Sequence, residues 1–194
     1  MGLSSSMPLS SEEMSNICKE TGFSKALVLR LYLRFKILDR RSAGCLEQED
    51  FLKVGHFHKN PFRDRILQLF FEENNETLTG VTFPKFLKTL AAFRPAVENK
   101  TPPDQPNSRE SKTKVMFRML DVDKDGKISR FELFDAVKSM IHVNISEEEL
   151  CSIVERAILE VDEDEDGMVS YEEFVQMVQH IPIEEKFSLR FLLT

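Results

Sequence analysis

Apolar residues recur at helical spacing along most of the chain, in blocks separated by short polar loops, and this pattern predicts a protein built from helices. Ser10 with Glu13 forms a capping box for a short first helix ending near Gly22, and Ser24 caps a second helix that runs to about Leu38. The stretch from Ala26 to Leu38 is rich in apolar residues but is broken by Arg30, Arg34 and Lys36. It reads as a mostly buried helix, because a membrane span needs about 18 apolar residues. Asn60-Pro61 starts another helix, and Phe83 to Phe93 forms a further one in which Pro84 is tolerable only in the first turn. Ser146 with Glu149 is a second capping box, opening a helix that leads into an acidic loop at Asp162. Between Arg94 and Lys112 the periodicity stops. Pro95, Pro102, Pro103 and Pro106, four of the chain's 8 prolines, fall there in a polar stretch that reads as a linker, either flexible or functional at that length.

Two of the loops carry specific chemistry. Asp121-Val-Asp-Lys-Asp-Gly-Lys-Ile-Ser-Arg-Phe-Glu132 and Asp162-Glu-Asp-Glu-Asp-Gly-Met-Val-Ser-Tyr-Glu-Glu173 both match the twelve-residue calcium loop of the EF-hand. A hard cation takes six to eight oxygens at about 2.3–2.6 Å, and one short loop delivers most of them if it turns sharply at its middle. Asp121, Asp123 and Asp125 supply carboxylates, Lys127 its backbone carbonyl, Ser129 a water, and Glu132 both its oxygens, with Gly126 at the turn. Asp162, Asp164, Asp166, the carbonyl of Met168, Ser170 and Glu173 take the same roles around Gly167. Ile128 and Val169, at the eighth position of each loop, are placed to pair in a two-stranded ribbon, so the loops should be neighbours. Glu163, Glu165 and Glu172 add acid to the later loop where the earlier has Lys124, Lys127 and Arg130, which predicts tighter binding by the later one.

Two earlier segments keep the frame of such loops without the ligands. In Asp39-Arg-Arg-Ser-Ala-Gly-Cys-Leu-Glu-Gln-Glu-Asp50 the turn glycine Gly44 and the apolar Leu46 survive. Arg41 and Ala43 replace ligands, Asp50 is too short to close the shell easily, and Arg40 and Arg41 repel a cation. From about Asn74 to Lys85, Val81 and Phe86 keep the apolar frame, Gly80 is displaced by one, and Lys85 sits where the closing Glu belongs. Neither should bind calcium. The expected fold is therefore all-α: two lobes of paired helix–loop–helix units with short inter-loop ribbons, an N-terminal lobe over 1–93, a linker over 94–112 and a C-terminal lobe over 113–194.

Charge sharpens this division. The net charge is −7, but residues 1–100 carry 15 basic and 12 acidic side chains and residues 101–194 carry 11 and 21. Two bound calcium ions would relieve the self-repulsion of the acidic half and order it. Cys18, Cys45 and Cys151 are an odd number without zinc-like spacing and no signal peptide precedes them, so a reduced cytosolic protein is expected. Met1-Gly-Leu-Ser-Ser-Ser6 fits the myristoylation pattern at Gly2, the alternative being a serine-rich tail. A single acyl chain anchors marginally, so a second attachment to the membrane or to a membrane-protein partner would be needed. Phe187, Leu189, Phe191, Leu192 and Leu193 make an apolar tail that either covers a groove or completes its own lobe. His56 and His58 do not share a helical face, and nothing resembles a nucleophile with its base or a phosphate cradle, so no enzyme is expected. No nucleic-acid partner is expected either.

Across essentially its whole length the chain resembles the calcineurin B homologous proteins. The resemblance is carried by Glu20-Thr-Gly-Phe23, by Phe93-Arg94-Pro95 with an extended linker holding Asn107-Ser108-Arg109, and by the ending Glu185-Lys-Phe-Ser-Leu-Arg-Phe-Leu192. It is also carried by the acylation signal combined with two ligand-poor and two complete loops. Calcineurin B has a similar plan with four competent loops, from which Arg41, Ala43 and Lys85 depart. The resemblance implies a regulatory subunit that clasps an amphipathic helix in the cytoplasmic tail of a plasma-membrane Na+/H+ exchanger and supports its activity, pH sensitivity and surface expression. Some members also inhibit calcineurin. It implies a cytoplasmic protein peripheral to the plasma membrane, with some nuclear presence. Among 16 Phe and 8 Met, the residues expected to line a helix-binding groove are Phe70, Phe71, Phe83, Phe86, Leu87 and Leu90, ordinary core being the alternative. The rival functions are a calcineurin-B-like phosphatase regulator and a cytosolic calcium buffer or sensor.

Overall fold

The computed structural model describes residues 9–54, 57, 60–71, 80–94, 105–141 and 145–183. Gly2, His56, His58, the loop residues 74–79 and the tail from 184 onward lie outside them.

Among the described residues the chain forms nine helices and four two-residue strands. α1 (Ser11–Thr21) starts at Ser10, whose hydroxyl accepts from the amide of Glu13 while the Glu13 carboxylate accepts from the amide of Ser10. It stops at Gly22, with φ +66°, where the Arg94 guanidinium occupies the space a Cβ would need. α2 (Lys25–Leu38) is capped by Ser24. β1 (Cys45–Leu46) leads into the short α3 (Gln48–Leu52), and α4 (Arg63–Phe71) follows. β2 (Val81–Thr82) leads into α5 (Phe83–Ala92), which carries Pro84 in its first turn. The C-terminal half repeats the plan with α6 (Arg109–Leu120), β3 (Lys127–Ile128), α7 (Arg130–Met140), α8 (Glu147–Leu159), β4 (Val169–Ser170) and α9 (Tyr171–Met177). Among the described residues no helix is long and apolar enough to cross a membrane.

The strands pair antiparallel as β1 with β2 and β3 with β4. Leu46 faces Val81, and Ile128 faces Val169. The eighth loop position therefore meets its counterpart in both pairs, including the pair without ligands. All four of these side chains are fully buried or nearly so, pinning each ribbon to its core.

Each pair of hands has its own core. In the first, Phe51, Phe70 and Phe86 form a contiguous aromatic cluster, with Phe51–Phe70 centroids 4.7 Å apart and Phe70–Phe86 5.8 Å apart. Each buried Phe contributes about 1.5–3 kcal/mol and each such ring pair about 0.5–1.5 kcal/mol more. The second core gathers Phe117, Phe174, Leu150, Val154 and Ile158 around the second ribbon. The cores adjoin along α6: Met119 is buried in the first core, and Phe62 packs against both. Arg65 on α4 ties the junction by donating to the carbonyls of Met119 (2.8 Å) and Leu120 (3.3 Å) at the end of α6.

The last four residues of the expected linker are helix instead. α6 begins at Arg109 because Ser108 caps it through the amide of Ser111, and Lys112 and Thr113 are buried within it. At the other end of the linker the Arg94 guanidinium donates to the carbonyl of Thr21 (3.0 Å) and to Oδ1 of Asn107 (3.2 Å). This contact fastens the start of α6 to the end of α1.

Candidate metal centre

The loop from Asp121 to Glu132 joins α6 to α7, and the loop from Asp162 to Glu173 joins α8 to α9. Lys124 (φ +63°) and Gly126 (φ +88°) bend the first loop back on itself, as Glu165 (φ +59°) and Gly167 (φ +77°) bend the second. The turned backbone aims its amides at the acidic side chains. Asp121 Oδ2 accepts from the amide of Gly126 (3.2 Å), Asp123 Oδ1 from Asp125 (3.2 Å) and Asp125 Oδ1 from Lys127 (2.8 Å). In the second loop Asp162 accepts from the amides of Asp166 (3.1 Å) and Gly167 (3.0 Å), and Asp166 accepts from that of Met168 (2.8 Å).

The closing glutamates lock both ends of their loops. Glu132 Oε2 accepts from the amide and hydroxyl of Ser129, both at 2.8 Å, and Oε1 from the amide of Val122 at 2.7 Å. Glu173 repeats this with Ser170 (2.7 and 2.8 Å) and Glu163 (2.8 Å). The same serines and glutamates are the capping boxes of α7 and α9, so loop closure and helix initiation are one structure. Burial pushes the Glu132 carboxyl up, but the Ser129 amide and hydroxyl and the amides of Val122 and Asp123 outweigh it and hold it below its usual range. The Ser170 amide and hydroxyl lower Glu173 likewise.

The donor set fits calcium. Ligand oxygens of Asp121, Asp123 and Glu132 lie within 4.8 Å of one another, as do those of Asp162, Asp164 and Asp166. Two oxygens bound to one ion at about 2.3–2.6 Å can be no farther apart than about 5 Å. Asp121 Oδ1 is buried without a hydrogen-bond partner among the described residues, and burial pushes its carboxyl above the usual range. A cation would satisfy that oxygen, and an all-oxygen set selects a hard one. Asp125 and Glu173 belong to the same loops but stand outside the two tight groups. Lys127 and Met168 occupy the seventh position of their loops, Lys127 as the first residue of β3 and Met168 immediately before β4.

Packing adds two features to the local sequence pattern. The ammonium of Lys127 reaches across to Asp164 (3.3 Å) and Asp166, raising the lysine and lowering Asp166. Five of the six residues expected to line a partner groove, Phe70, Phe83, Phe86, Leu87 and Leu90, are buried in the first core, and only Phe71 is partly exposed. The apolar side chains the N-terminal lobe does expose include Leu29 (49%), Leu33 (63%) and Ile37 (71%), spaced by four on one face of α2. Their signal lay in the sequence of α2, which holds more large apolar residues than one helical face can bury.

An acidic loop pair on a shared ribbon between helices defines a calcium-binding protein of the EF-hand class. Residues 110–179 match the model of an EF-hand domain pair. Similar proteins include the calcineurin B subunit of Naegleria gruberi, 34% identical over 179 residues (92% of this chain and 94% of that protein). The type 1 calcineurin B subunit of Dictyostelium discoideum is 33% identical over 182 residues, covering 93% and 94%. The calcineurin B subunit of Candida glabrata is 31% identical over 181 residues, covering 93% and 96%. The chain belongs to the calcineurin B-like family of EF-hand regulatory proteins.

Proposed function

We propose that this chain is a non-catalytic, calcium-binding regulatory protein that clasps an amphipathic juxtamembrane helix in the cytoplasmic tail of a plasma-membrane Na+/H+ exchanger, supporting its activity, pH sensitivity and surface expression. The observation that carries this reading is the asymmetry of the hands. The later pair keeps its carboxylates, whereas Arg41, Ala43 and Lys85 replace ligands in the earlier pair, a departure from a calcineurin B with four competent loops. The exposed row Leu29, Leu33 and Ile37 supplies apolar surface of the kind an amphipathic helix covers with its i, i+3, i+4 and i+7 side chains. The buried Phe70, Phe83, Phe86, Leu87 and Leu90 would join such a surface only if the first lobe opened. Acylation of Gly2 would bring the chain to the cytoplasmic face of the membrane, with the exchanger as the second attachment.

A second reading follows from the identity of 31–34% with calcineurin B proteins: regulation of a phosphatase catalytic subunit through the same surface. Titrating the full chain, first with calcium and then with chelator, against a synthetic exchanger helix and a calcineurin A helix separates the two. Preferential binding of the exchanger helix that survives moderate calcium loss supports the first reading. Preference for the calcineurin A helix supports the second, and binding of neither leaves a calcium buffer.

A further inference from the structure

We propose that the guanidinium of Arg41 is the resident cation of the first loop, holding the N-terminal hand in the loop geometry of a metal-binding EF-hand at every calcium concentration. This inference does not depend on which helix the protein binds.

The loop from Asp39 to Asp50 has Arg41 and Ala43 where two ligands belong, yet it keeps its shape. Ser42 (φ +54°) and Gly44 (φ +78°) are left-handed at the same fourth and sixth positions as Lys124 and Gly126, or Glu165 and Gly167. Asp39, nearly inaccessible, accepts from the amides of Ala43 and Gly44, both at 2.9 Å, as Asp162 accepts from Asp166 and Gly167. The ribbon register is also that of the calcium pair. Without ligands to gather, a serine in the left-handed region and an acidic loop end held in the core call for another source of stabilisation.

Arg41 supplies it from inside the chain. It stands at the third position, where the calcium loops have Asp123 and Asp164. Its Nη1 lies 2.8 Å from Glu47 Oε2 and its Nη2 lies 3.2 Å from Asp50 Oδ2, at the ninth and twelfth positions. Those are the positions that complete the shell of a metal-binding loop. Asp50 is buried, and it also accepts from the amide of Glu47 (3.0 Å) and pairs through Oδ1 with Lys53 (3.0 Å). A buried carboxylate of this kind is tolerated only when compensated, and the forked guanidinium can bond both acids at once. Arginine keeps its charge at any accessible pH and, being tethered, is not removed by a chelator. Arg41 thus does more than repel calcium: it takes over the ion's structural task, and the face of α2 is presented whatever the calcium level.

Amide exchange and thermal unfolding of the full chain in chelator test this. In Arg41→Met, exchange at Gly44 and Glu47 should accelerate by about tenfold or more and the unfolding midpoint of the first lobe should fall by about 4 °C, while Arg41→Lys recovers part of both. Unchanged exchange and midpoint in Arg41→Met would overturn the proposal. Calcium stoichiometry gives an independent readout. Ala43→Asp/Asp50→Glu should take up no more calcium than the parent while Arg41 remains, and adding Arg41→Asp should admit one further ion per chain. A further ion bound with Arg41 in place contradicts the resident-cation role. A folded triple variant that gains none contradicts the preformed loop.

Discussion

In the N-terminal pair, two acids at the end of the first loop meet Arg41, and the buried one, Asp50, also meets Lys53; in the C-terminal pair, acids at the loop positions face one another. The backbones hardly differ: both described loop types carry left-handed residues four and six positions in, and both ribbons pair the same two positions. The contrast teaches that the same loop geometry accommodates opposite charge arrangements: a side-chain cation paired with its acids in the first loop, and carboxylates gathered for an ion in the later ones. On the proposal made for Arg41, one half of the molecule is a fixed platform and the other answers to calcium, the two adjoining along α6.

The largest effect should come from the platform's core. Phe86→Ala should cost about 3–5 kcal/mol by denaturant unfolding, and the loss should be the same with calcium or chelator; a loss confined to the calcium form would mean that the two lobes are not separable. Next, Glu132→Gln and Glu173→Gln should each weaken calcium binding at their own loop by about 100-fold or more in calorimetric titration, beyond what loss of an outer partner costs. The same titrations rank the loops, and a tighter loop at Asp121 than at Asp162 would defeat the expectation drawn from Glu163, Glu165 and Glu172. At the junction, Arg65→Met should cost about 1–2 kcal/mol by removing the donor to Met119 and Leu120. If instead it cost nothing, the lobes would be coupled by packing alone.

Smaller effects sharpen the electrostatic side. Lys127→Gln should raise the affinity of the Asp162 loop by about fivefold or less, an effect that should shrink in high salt. Acid should act on the first loop through Asp50. Burial pushes its carboxyl up, but the Glu47 amide, Lys53 and Arg41 outweigh burial and hold it below the usual 3.8. Its contribution to stability is therefore full above pH 3.8 and is lost as pH falls through the lower folded value. In Arg41→Met the acid limb of a pH–stability profile should move upward, and an unmoved limb would assign Asp50 to Lys53 alone.

The geometry of both acidic loops, the ribbons and the capping boxes at Ser10 and Ser146 were legible in the sequence, because each is a local pattern in which residue type and spacing set the geometry. The frame of the second loop was legible too: counting from Asn74 puts Val81 opposite Leu46, as observed. What could not be read depends on contacts across the chain. Arg41 looks only repulsive until Asp50 is seen buried beside it. Lys127 looks like a charge that acts on its own loop until the ribbon brings Asp164 and Asp166 within its reach. Phe70 and Phe86 have the spacing of both a groove and a core, and only packing decides between them. The first turn of α6 is polar, so periodicity stayed silent where Ser108 caps a helix that buries Lys112.

The most direct test is residue-resolved hydrogen exchange of the full chain in calcium and again after chelation. Amides in 121–132 and 162–173 should lose protection by about 100-fold or more, while those in 39–50 change by about twofold or less. Parallel loss in all three loops would contradict the division into an internally neutralised lobe and a calcium-dependent one.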